Sequence, residues 1–238
     1  MRQLFLDTET TGLPTKNNEE AVAKSGHRVI EIGVVEIVDR RLTGMDFQSY
    51  LNPERKIDPA TIPIHGITDE FIADKPLFKD LVGDFLDYVK DAEVIMHNAP
   101  FDTSFINNEL ALLGLDDRLE ELCEITDTLI FARKKHPGQR NSLDALCSRY
   151  DVDTTNREVH GALIDAKLLA NVYLLMTGGQ VGFFNQDQTT TSGPSSGNQN
   201  FDFKNRKIIQ IDLNEAEVKN HQSYLEKLSK VSKKDLDW

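Results

Sequence analysis

The sequence is poor in the features that mark secreted and membrane proteins. No apolar run approaches the roughly 20 residues of a membrane-spanning helix. The N-terminus lacks a basic segment followed by an apolar one, so we expect no signal peptide. Cysteine is scarce: Cys123 and Cys147 are the only two, and they form no CxxC pair. Two lone cysteines are typical of reduced core thiols rather than of a disulfide framework, which indicates a cytoplasmic protein.

Positive charge is scarce as well. The 238 residues include 27 Lys and Arg against 39 Asp and Glu, a formal net charge of -12. Residues 201–238 are nearly balanced, with eight basic and seven acidic residues, so the acidic excess lies in the remainder. Nucleic-acid affinity comes largely from cations that neutralise phosphates, so this surface is poorly suited to binding duplexes. Any nucleic-acid chemistry must be local, metal-assisted, or helped by a partner that holds the substrate.

Strand patterns dominate the first 50 residues, and helices then alternate with strands. The segments "RQLFLDTE", "HRVIEIGVVEIVDRR" and "FQSYLNP" predict a meander of three strands. The later segments "LFKDLVGDFLDYVK", "PFDTSFINNELALLG", "NSLDALCSRY" and "GALIDAKLLANVYLLMTGG" predict helices, and the short apolar run "AEVIMHN" predicts a buried strand. This order predicts one α/β domain over residues 1–178.

The rest of the chain has a different composition. Residues 179–200 include "NQDQTTTSGPSSGNQN", a polar stretch without periodicity that is typical of a flexible linker. Residues 201–238 contain a strand-like "KIIQIDL" and an amphipathic helix candidate, "NEAEVKNHQSYLEKLSKV". So short a segment buries little apolar surface by itself, so we expect this tail to dock on a partner.

Two carboxylates lie close together where the first predicted strand ends. In a strand, residues two apart point to the same face with Cα atoms about 6.5 Å apart, so Asp7 and Glu9 aim at one small volume while Thr8 faces away. Two like charges this close favour a cation between them, and hard oxygen ligands suit Mg²⁺ or Mn²⁺. The alternative is a strand end whose acids simply face water.

Further candidates follow at the starts of two predicted helices. "HNAPFD" places Asp102 at a helix start directly after a buried strand, and "HGALIDA" places His160 just before the last helix with Asp165 one turn inside it. Together with the first strand they form a plausible two-metal site. Taken singly, Asp102 could be a helix-start residue favoured by the dipole, Asp165 a solvated turn, and His160 a cap.

The ordered blocks "FLDTETTG", "HNAPFD" and "HGALIDA" resemble the DEDDh family of 3′→5′ exonucleases. The surrounding segments "IEIGVVEIVDRRLTG", "IHGITDEF" and "ALIDAKLLANVYLLMTGGQ" look like the proofreading subunits of bacterial replicative DNA polymerases, over about residues 1–180. The resemblance implies a ribonuclease-H-like mixed β-sheet flanked by helices. It also implies metal-assisted hydrolysis of the 3′-terminal phosphodiester of DNA, which releases nucleoside 5′-monophosphates during proofreading.

The resemblance assigns roles to individual residues. It implies that Asp7 bridges two Mg²⁺ or Mn²⁺ ions, that Glu9 and Asp165 complete the first metal site, and that Asp102 supports the second. His160 would be the general base that deprotonates the attacking water. The residues that look like the family's contacts to the terminal nucleotide are Thr10, His65, Asn98 and Phe101. His65 could instead be a satisfied loop histidine, and Phe101 a core residue.

The resemblance also implies partners. In "GGQVGFFN", Gln180, Phe183 and Phe184 look like the peptide that bacterial proteins insert into the sliding clamp, unless the two aromatic rings pack back on the final helix. The tail would tether the exonuclease to the polymerase catalytic subunit and so raise its effective concentration. In family members a small third core subunit also binds the exonuclease domain. Its substrate would be a single-stranded or frayed 3′ end of DNA.

Two alternatives remain beside the proofreading DNA exonuclease. A related exonuclease that trims RNA 3′ ends would use the same five residues, and the clamp-like peptide and the tail favour DNA. The other alternative, from a different class, is a non-catalytic assembly subunit whose site has decayed. All five site residues are present in the sequence, which argues against decay.

Overall fold

A computed structural model describes residues 2–155, 157 and 159–178. The strands are β1 Arg2–Thr10, β2 Val29–Val38, β3 Arg41–Leu42, β4 Phe47–Tyr50, β5 Glu93–Met96 and β6 Glu124–Asp127. The helices are α1 Glu19–Ser25, α2 Ile62–His65, α3 Asp69–Ile72, α4 Phe78–Val89, α5 Ala99–Leu112, α6 Leu119–Leu122, α7 Thr128–Lys135, α8 Leu143–Arg149 and α9 Ala162–Thr177.

The six described strands form one mixed sheet in the order β3-β2-β1-β5-β6, with β4 also paired to β2. β1 runs antiparallel to β2 and parallel to β5, which is in turn parallel to β6. The carboxyl ends of these three parallel strands therefore lie at one edge of the sheet, where the helix α5 follows β5 and α7 follows β6. This edge positions the site described below.

Alternation along β1 sends its side chains into two separate cores. Leu4 and Leu6 join the cluster that includes apolar residues of α4 and α5, whereas Phe5 packs with residues of α9 on the other face. Helices thus cover both faces of the sheet, and α8 packs on the outer side of α9. The same alternation puts Asp7 and Glu9 on the α9 face and Thr8 on the α5 face.

The predicted meander is correct, but its second strand is shorter than the sequence pattern suggests. β2 ends at Val38, and Asp39 and Arg40 both have positive φ, 49° and 64°. Positive φ at two successive residues suits a tight hairpin turn, and the chain reverses there into the two-residue strand β3. Helix α1, which no sequence pattern suggested, begins at the Asn18 cap and ends at Gly26, whose φ is 67°.

Both cysteines are free and buried, Cys123 at the end of α6 and Cys147 in α8. Burial raises the pKa of the Cys123 thiol to about 12, so the thiol stays protonated and unreactive at neutral pH. The prediction of core thiols is thus confirmed. Within the described residues, no helix is long and apolar enough to cross a membrane. The predicted linker, the clamp-like peptide and the tail lie outside the described residues.

Candidate active site

β1 delivers two acidic side chains to the edge of the sheet. Asp7 and Glu9 follow the buried Leu4–Leu6 segment and are themselves half-buried. In the antiparallel pairing with β2, Asp7 lies opposite Gly33 and Glu9 lies opposite Glu31. The pairing shifts register between Glu9 and Thr10, so the strand is distorted immediately after its second acid. Such bulges re-aim side chains at functional edges of sheets.

Asp102 arrives from the other face of the sheet. It lies in the first turn of α5, after Asn98, whose left-handed backbone (φ 71°) turns the chain from β5 into the helix. Its side chain is 2% exposed, and the Thr8 hydroxyl donates a hydrogen bond of 2.7 Å to Asp102 Oδ1. The prediction that Thr8 faces away from Asp7 and Glu9 is correct, but the consequence was missed: on its own face, Thr8 orients Asp102.

α9 brings the remaining two predicted residues. Asp165 is in its first turn and 4% exposed, and His160 Nδ1 lies 2.9 Å from Asp165 Oδ2. One side-chain atom each of Glu9, His160 and Asp165 lies within 4.8 Å of the others. Three ligating atoms at this spacing, with two carboxylates among them, can surround a divalent cation.

Glu31 fixes the start of α9 against the sheet, and sequence analysis missed it. Its Oε2 accepts a hydrogen bond of 3.1 Å from the Ala162 amide, and its Oε1 accepts one of 2.8 Å from Gln48 Nε2. Beside it, α9 lies so close to Gly33 that a Cβ there would be 2.2 Å from the Leu163 amide nitrogen. The two residues set the distance between the helix that carries Asp165 and the strands that carry the other acids.

Arg157 is a second residue that sequence analysis missed. Its side chain is 9% exposed; its Nε lies 2.7 Å from Asp165 Oδ1, and its Nη2 donates to Asp165 Oδ2 at 2.8 Å. Nη2 also lies 2.6 Å from His160 Nδ1, and Nη1 pairs with Asp144 at the start of α8. The guanidinium thus covers both oxygens of Asp165, and a divalent cation bound there must compete with it.

Burial and mutual repulsion shape the charge of the acidic cluster. Burial, with repulsion from Asp165 and Glu31 next, raises the pKa of Glu9 to about 8. Burial raises the pKa of Asp102 to about 7, against the hydrogen bond from Thr8. Burial and the neighbouring carboxylates raise the pKa of Asp7 well above its ordinary value. Carboxylates that repel one another in this way are stabilised by a bound cation, so the donor set fits a divalent cation.

The four residues predicted to contact the terminal nucleotide differ from one another in burial and in hydrogen bonding. The Thr10 hydroxyl is buried and donates to the Gly12 carbonyl at 2.9 Å. His65 is 5% exposed; its Nδ1 accepts from the Ile67 amide, and its buried Nε2 has no hydrogen-bond partner among the described residues. The Asn98 amide donates to Asp127 Oδ1 at 3.1 Å. Phe101 is half-buried and packs on Phe105 with ring centroids 4.9 Å apart.

The fold and the acidic edge define a nuclease of the ribonuclease-H-like class. The family model described as Exonuclease matches residues 4–173. Exonuclease X in complex with 5′ overhanging duplex DNA is 25% identical, with a TM-score of 0.55 over 73% of this chain and 90% of that one. The nuclease domain of 3′hExo, a DEDDh family member bound to rAMP, has the same fold with a TM-score of 0.59 at 19% identity, over 74% of this chain and 90% of that one.

Relatives that align with this chain over nearly their whole length show which kind of exonuclease it is. The DNA polymerase III subunit epsilon of Pasteurella multocida is 44% identical over 239 residues, which cover 100% of this chain and 93% of the relative. The subunit of the same name from Escherichia coli K12 is 44% identical over 232 residues, 96% of this chain and 94% of the relative. The chain belongs to the exonuclease family and, within it, to the DNA polymerase III epsilon subunits.

Proposed function

We propose that this exonuclease removes mispaired 3′-terminal nucleotides from DNA for its polymerase, through two divalent cations held by Asp7, Glu9, Asp102 and Asp165. The observation that carries the proposal is the convergence of Glu9, His160 and Asp165 within 4.8 Å, beside the half-buried Asp7 and the buried Asp102. When bound, the cations would lower the pKa of the attacking water and stabilise the leaving 3′ oxygen.

His160 is the proposed general base, because its ring is 42% exposed and so can reach a solvent-borne nucleophile. For Nε2 to accept a proton from the attacking water, the ring must carry its own proton on Nδ1. Asp165 Oδ2, 2.9 Å from Nδ1, holds that tautomer. Arg157 opposes this tautomer. A guanidinium can only donate hydrogen bonds, so Arg157 Nη2, 2.6 Å from His160 Nδ1, requires Nδ1 to be an acceptor. Release of Arg157 from His160 is therefore part of the proposed active state.

Selectivity for mispaired ends follows from access. A frayed 3′ end costs less to separate from its complement than a paired one, so it reaches the site more often without any reading of base edges. The proposed contacts to this terminal nucleotide are Phe101 through stacking, Thr10 through its backbone, and the side chains of His65 and Asn98.

The test is metal-dependent release of nucleoside 5′-monophosphates from a DNA primer with a mispaired 3′ end. We expect release with Mg²⁺ or Mn²⁺, none with chelator, and strong loss in Asp7→Asn and Asp165→Asn. Surface variants Asp80→Asn and Asp87→Asn, on α4 away from the cluster, are the matched controls. If Asp7→Asn released mononucleotides at the parental rate, the proposed site would be wrong.

Digestion of matched DNA and RNA oligomers side by side tests the substrate. The full-length similarity to DNA polymerase III epsilon subunits favours DNA. Preferential shortening of the RNA oligomer would instead support the exoribonuclease alternative.

Partner binding is proposed from the sequence. We propose that residues 201–238 tether the protein to the polymerase catalytic subunit in the bacterial cytoplasm and that Gln180, Phe183 and Phe184 bind the sliding clamp. A small third core subunit would bind the exonuclease domain. A chain that ends at residue 186 should lose the polymerase subunit on co-purification but keep exonuclease activity. Retention of the polymerase subunit by this shortened chain would show that the tail is not the tether.

A further inference from the structure

A segment with four basic side chains and no acidic ones lies beside the catalytic edge of this acidic protein. Residues 132–143 contain Arg133, Lys134, Lys135 and Arg140 and no Asp or Glu. They form the end of α7 and the loop into α8, and we call them the basic segment.

The basic segment forms one wall of a cavity of about 480 Å³. Its polar lining residues are His97, Asn98, Arg133, Gln139, Asn141 and Ser142. A larger cavity of about 690 Å³ lies between α1 and α5, and its lining includes Glu19, Glu20 and Glu120. That second lining repels phosphates, whereas the lining of the smaller cavity carries no acid.

Two connections place this cavity next to the catalytic cluster. On one side, His97 and Asn98 follow β5 and lead directly into α5, whose first turn carries Asp102. On the other side, Ser142 caps α8, whose Asp144 pairs with Arg157, which in turn contacts Asp165. The cavity therefore lies between the segment that leads to Asp102 and the residues that hold Asp165.

Hydrogen bonds fix the backbone of the loop, while the side chains of Arg133 and Arg140 remain exposed. Asn141 Nδ2 donates to the carbonyls of His136 and Gln139 at 3.2 and 3.0 Å. Arg149 donates to Asn141 Oδ1 at 3.2 Å and to the Arg140 carbonyl at 2.8 Å. Arg133 and Arg140 are exposed, and no acidic side chain among the described residues pairs with either guanidinium.

His97 contributes a polar atom without a partner. Its Nδ1 lies 2.9 Å from the Thr128 hydroxyl, which donates its own proton to the Met96 carbonyl at 3.0 Å. Nδ1 must therefore carry the proton of this contact. In this tautomer Nε2 is an acceptor; it is buried and has no hydrogen-bond partner among the described residues. It can accept from a proton donor such as a bound water, and it does not bind a phosphate oxygen directly. Burial lowers the pKa of His97, against the Asn141 backbone and the negative charge of Asp127, and Arg133 adds slightly to the lowering.

We propose that this cavity is a phosphate subsite that takes the backbone of the DNA strand on the 5′ side of the nucleotide being removed. Arg133 in its lining and Arg140, which lies in the chain between the lining residues Gln139 and Asn141, are its cations. This inference rests on the proposed function and names how the same site holds its substrate. Guanidinium groups match phosphate geometry, and the side-chain amides of Asn98 and Gln139 add neutral donors. The acidic body repels DNA elsewhere, so the basic segment also orients the strand.

The first test measures binding of a fluorescent 10-nucleotide thymidine strand in chelator, which prevents digestion, between 50 and 200 mM salt. Each lost cation should lower the slope of log affinity against log salt by about 0.7. We expect that loss in Arg133→Gln and about twice that loss in Arg133→Gln/Arg140→Gln. Arg41→Gln, which removes an equal charge from β3 at the opposite edge of the sheet, is the matched control. Equal slopes in Arg133→Gln and Arg41→Gln would overturn the subsite.

The second test compares kcat/KM for this strand with that for the p-nitrophenyl ester of thymidine 5′-monophosphate, which has no further phosphodiester on the 5′ side of the scissile one. The strand-to-ester ratio should fall about tenfold in the double variant, through KM. An equal fall for both substrates would mean that the variant distorts the metal site, and would overturn the subsite. If the parental protein hydrolysed neither substrate, the proposed chemistry would fail, while the binding test would still decide the subsite.

Discussion

At the scale of single residues, the site depends on side chains that orient the acids as well as on the acids themselves. Thr8, Glu31 and Arg157 each contact a proposed metal ligand or the helix that carries one. Asp7 and Glu9 could be predicted as a pair because side chains two residues apart on a strand share a face, which can be seen in a short stretch of sequence. The three supporting residues depend on strand register and on contacts between distant segments, so no local pattern reveals them.

His160→Ala should keep the fold and lose hydrolysis. General-base catalysis contributes about 100- to 10,000-fold, so we expect kcat to fall within that range. The measurement is mononucleotide release at saturating Mn²⁺, with the thermal unfolding midpoint as the check on folding. A variant that is folded and degrades single-stranded DNA at the parental rate would show that another group is the base.

Thr8→Val should weaken metal binding although Thr8 ligates nothing. The substitution removes the hydrogen bond to Asp102 Oδ1, which is one of the interactions that lower the pKa of Asp102. Loss of such an orienting partner typically costs about 10- to 100-fold in metal affinity or activity. The Mn²⁺ concentration that gives half-maximal activity measures this loss of metal affinity. Thr8→Ser keeps the hydroxyl and should stay near the parental value; failure of this rescue would point to packing instead.

At the scale of elements, the site requires close contact between a helix and a strand. α9 meets β2 at Gly33, where backbone lies on backbone. Local patterns predicted both elements, because β2 is rich in β-branched residues and α9 ends at glycine. They could not predict that Gly33 is the contact point. α1 and β3 were not predicted, because α1 buries only Val22 and so shows no apolar stripe, and β3 has only two residues.

Gly33→Ala should therefore impair folding and catalysis together. The new methyl group must push α9 away from β2, and overpacking of this kind costs about 1–3 kcal/mol. The displaced helix carries Asp165, so activity should fall by more than the loss of folded protein explains. Urea unfolding and metal-dependent hydrolysis measure the two effects.

Gly83→Ala is the matched control for this substitution. Gly83 lies in α4, and a Cβ there meets no atom within 4 Å. Alanine in a helix interior is more stable than glycine by about 0.5–1 kcal/mol, so this variant should gain stability and keep its activity. If Gly33→Ala behaved in the same way, the close contact would have no functional role.

At the scale of the whole molecule, the acidic cluster makes stability depend on pH and metal together. Glu9 has a pKa of about 8 in the folded protein against an ordinary value of 4.5, so the folded state binds more protons than the unfolded state between these values. Stability without metal should therefore fall as pH rises from about 4.5 to 8. Asp7 and Asp102, whose pKa values are also raised, act in the same direction.

Thermal unfolding in chelator at pH 5.5 and at pH 8.5 tests this dependence. The midpoint should be lower at pH 8.5, and Mn²⁺ should restore it because a cation replaces the bound protons. Glu9→Gln should reduce the pH dependence, to which Asp7 and Asp102 still contribute, whereas Glu70→Gln, at an exposed α3 residue, should leave it unchanged. A midpoint that is higher at pH 8.5 in chelator would contradict the raised pKa values.

The five proposed site residues come from β1, α5 and the start of α9, which are separated by more than 50 residues along the chain. During synthesis, the ribosome releases Asp7 and Asp102 long before His160 and Asp165. A nascent chain therefore holds only an incomplete set of ligands until α9 has emerged and packed on the sheet. On the proposed ligand set, a nascent chain should therefore not hydrolyse DNA before α9 has packed on the sheet.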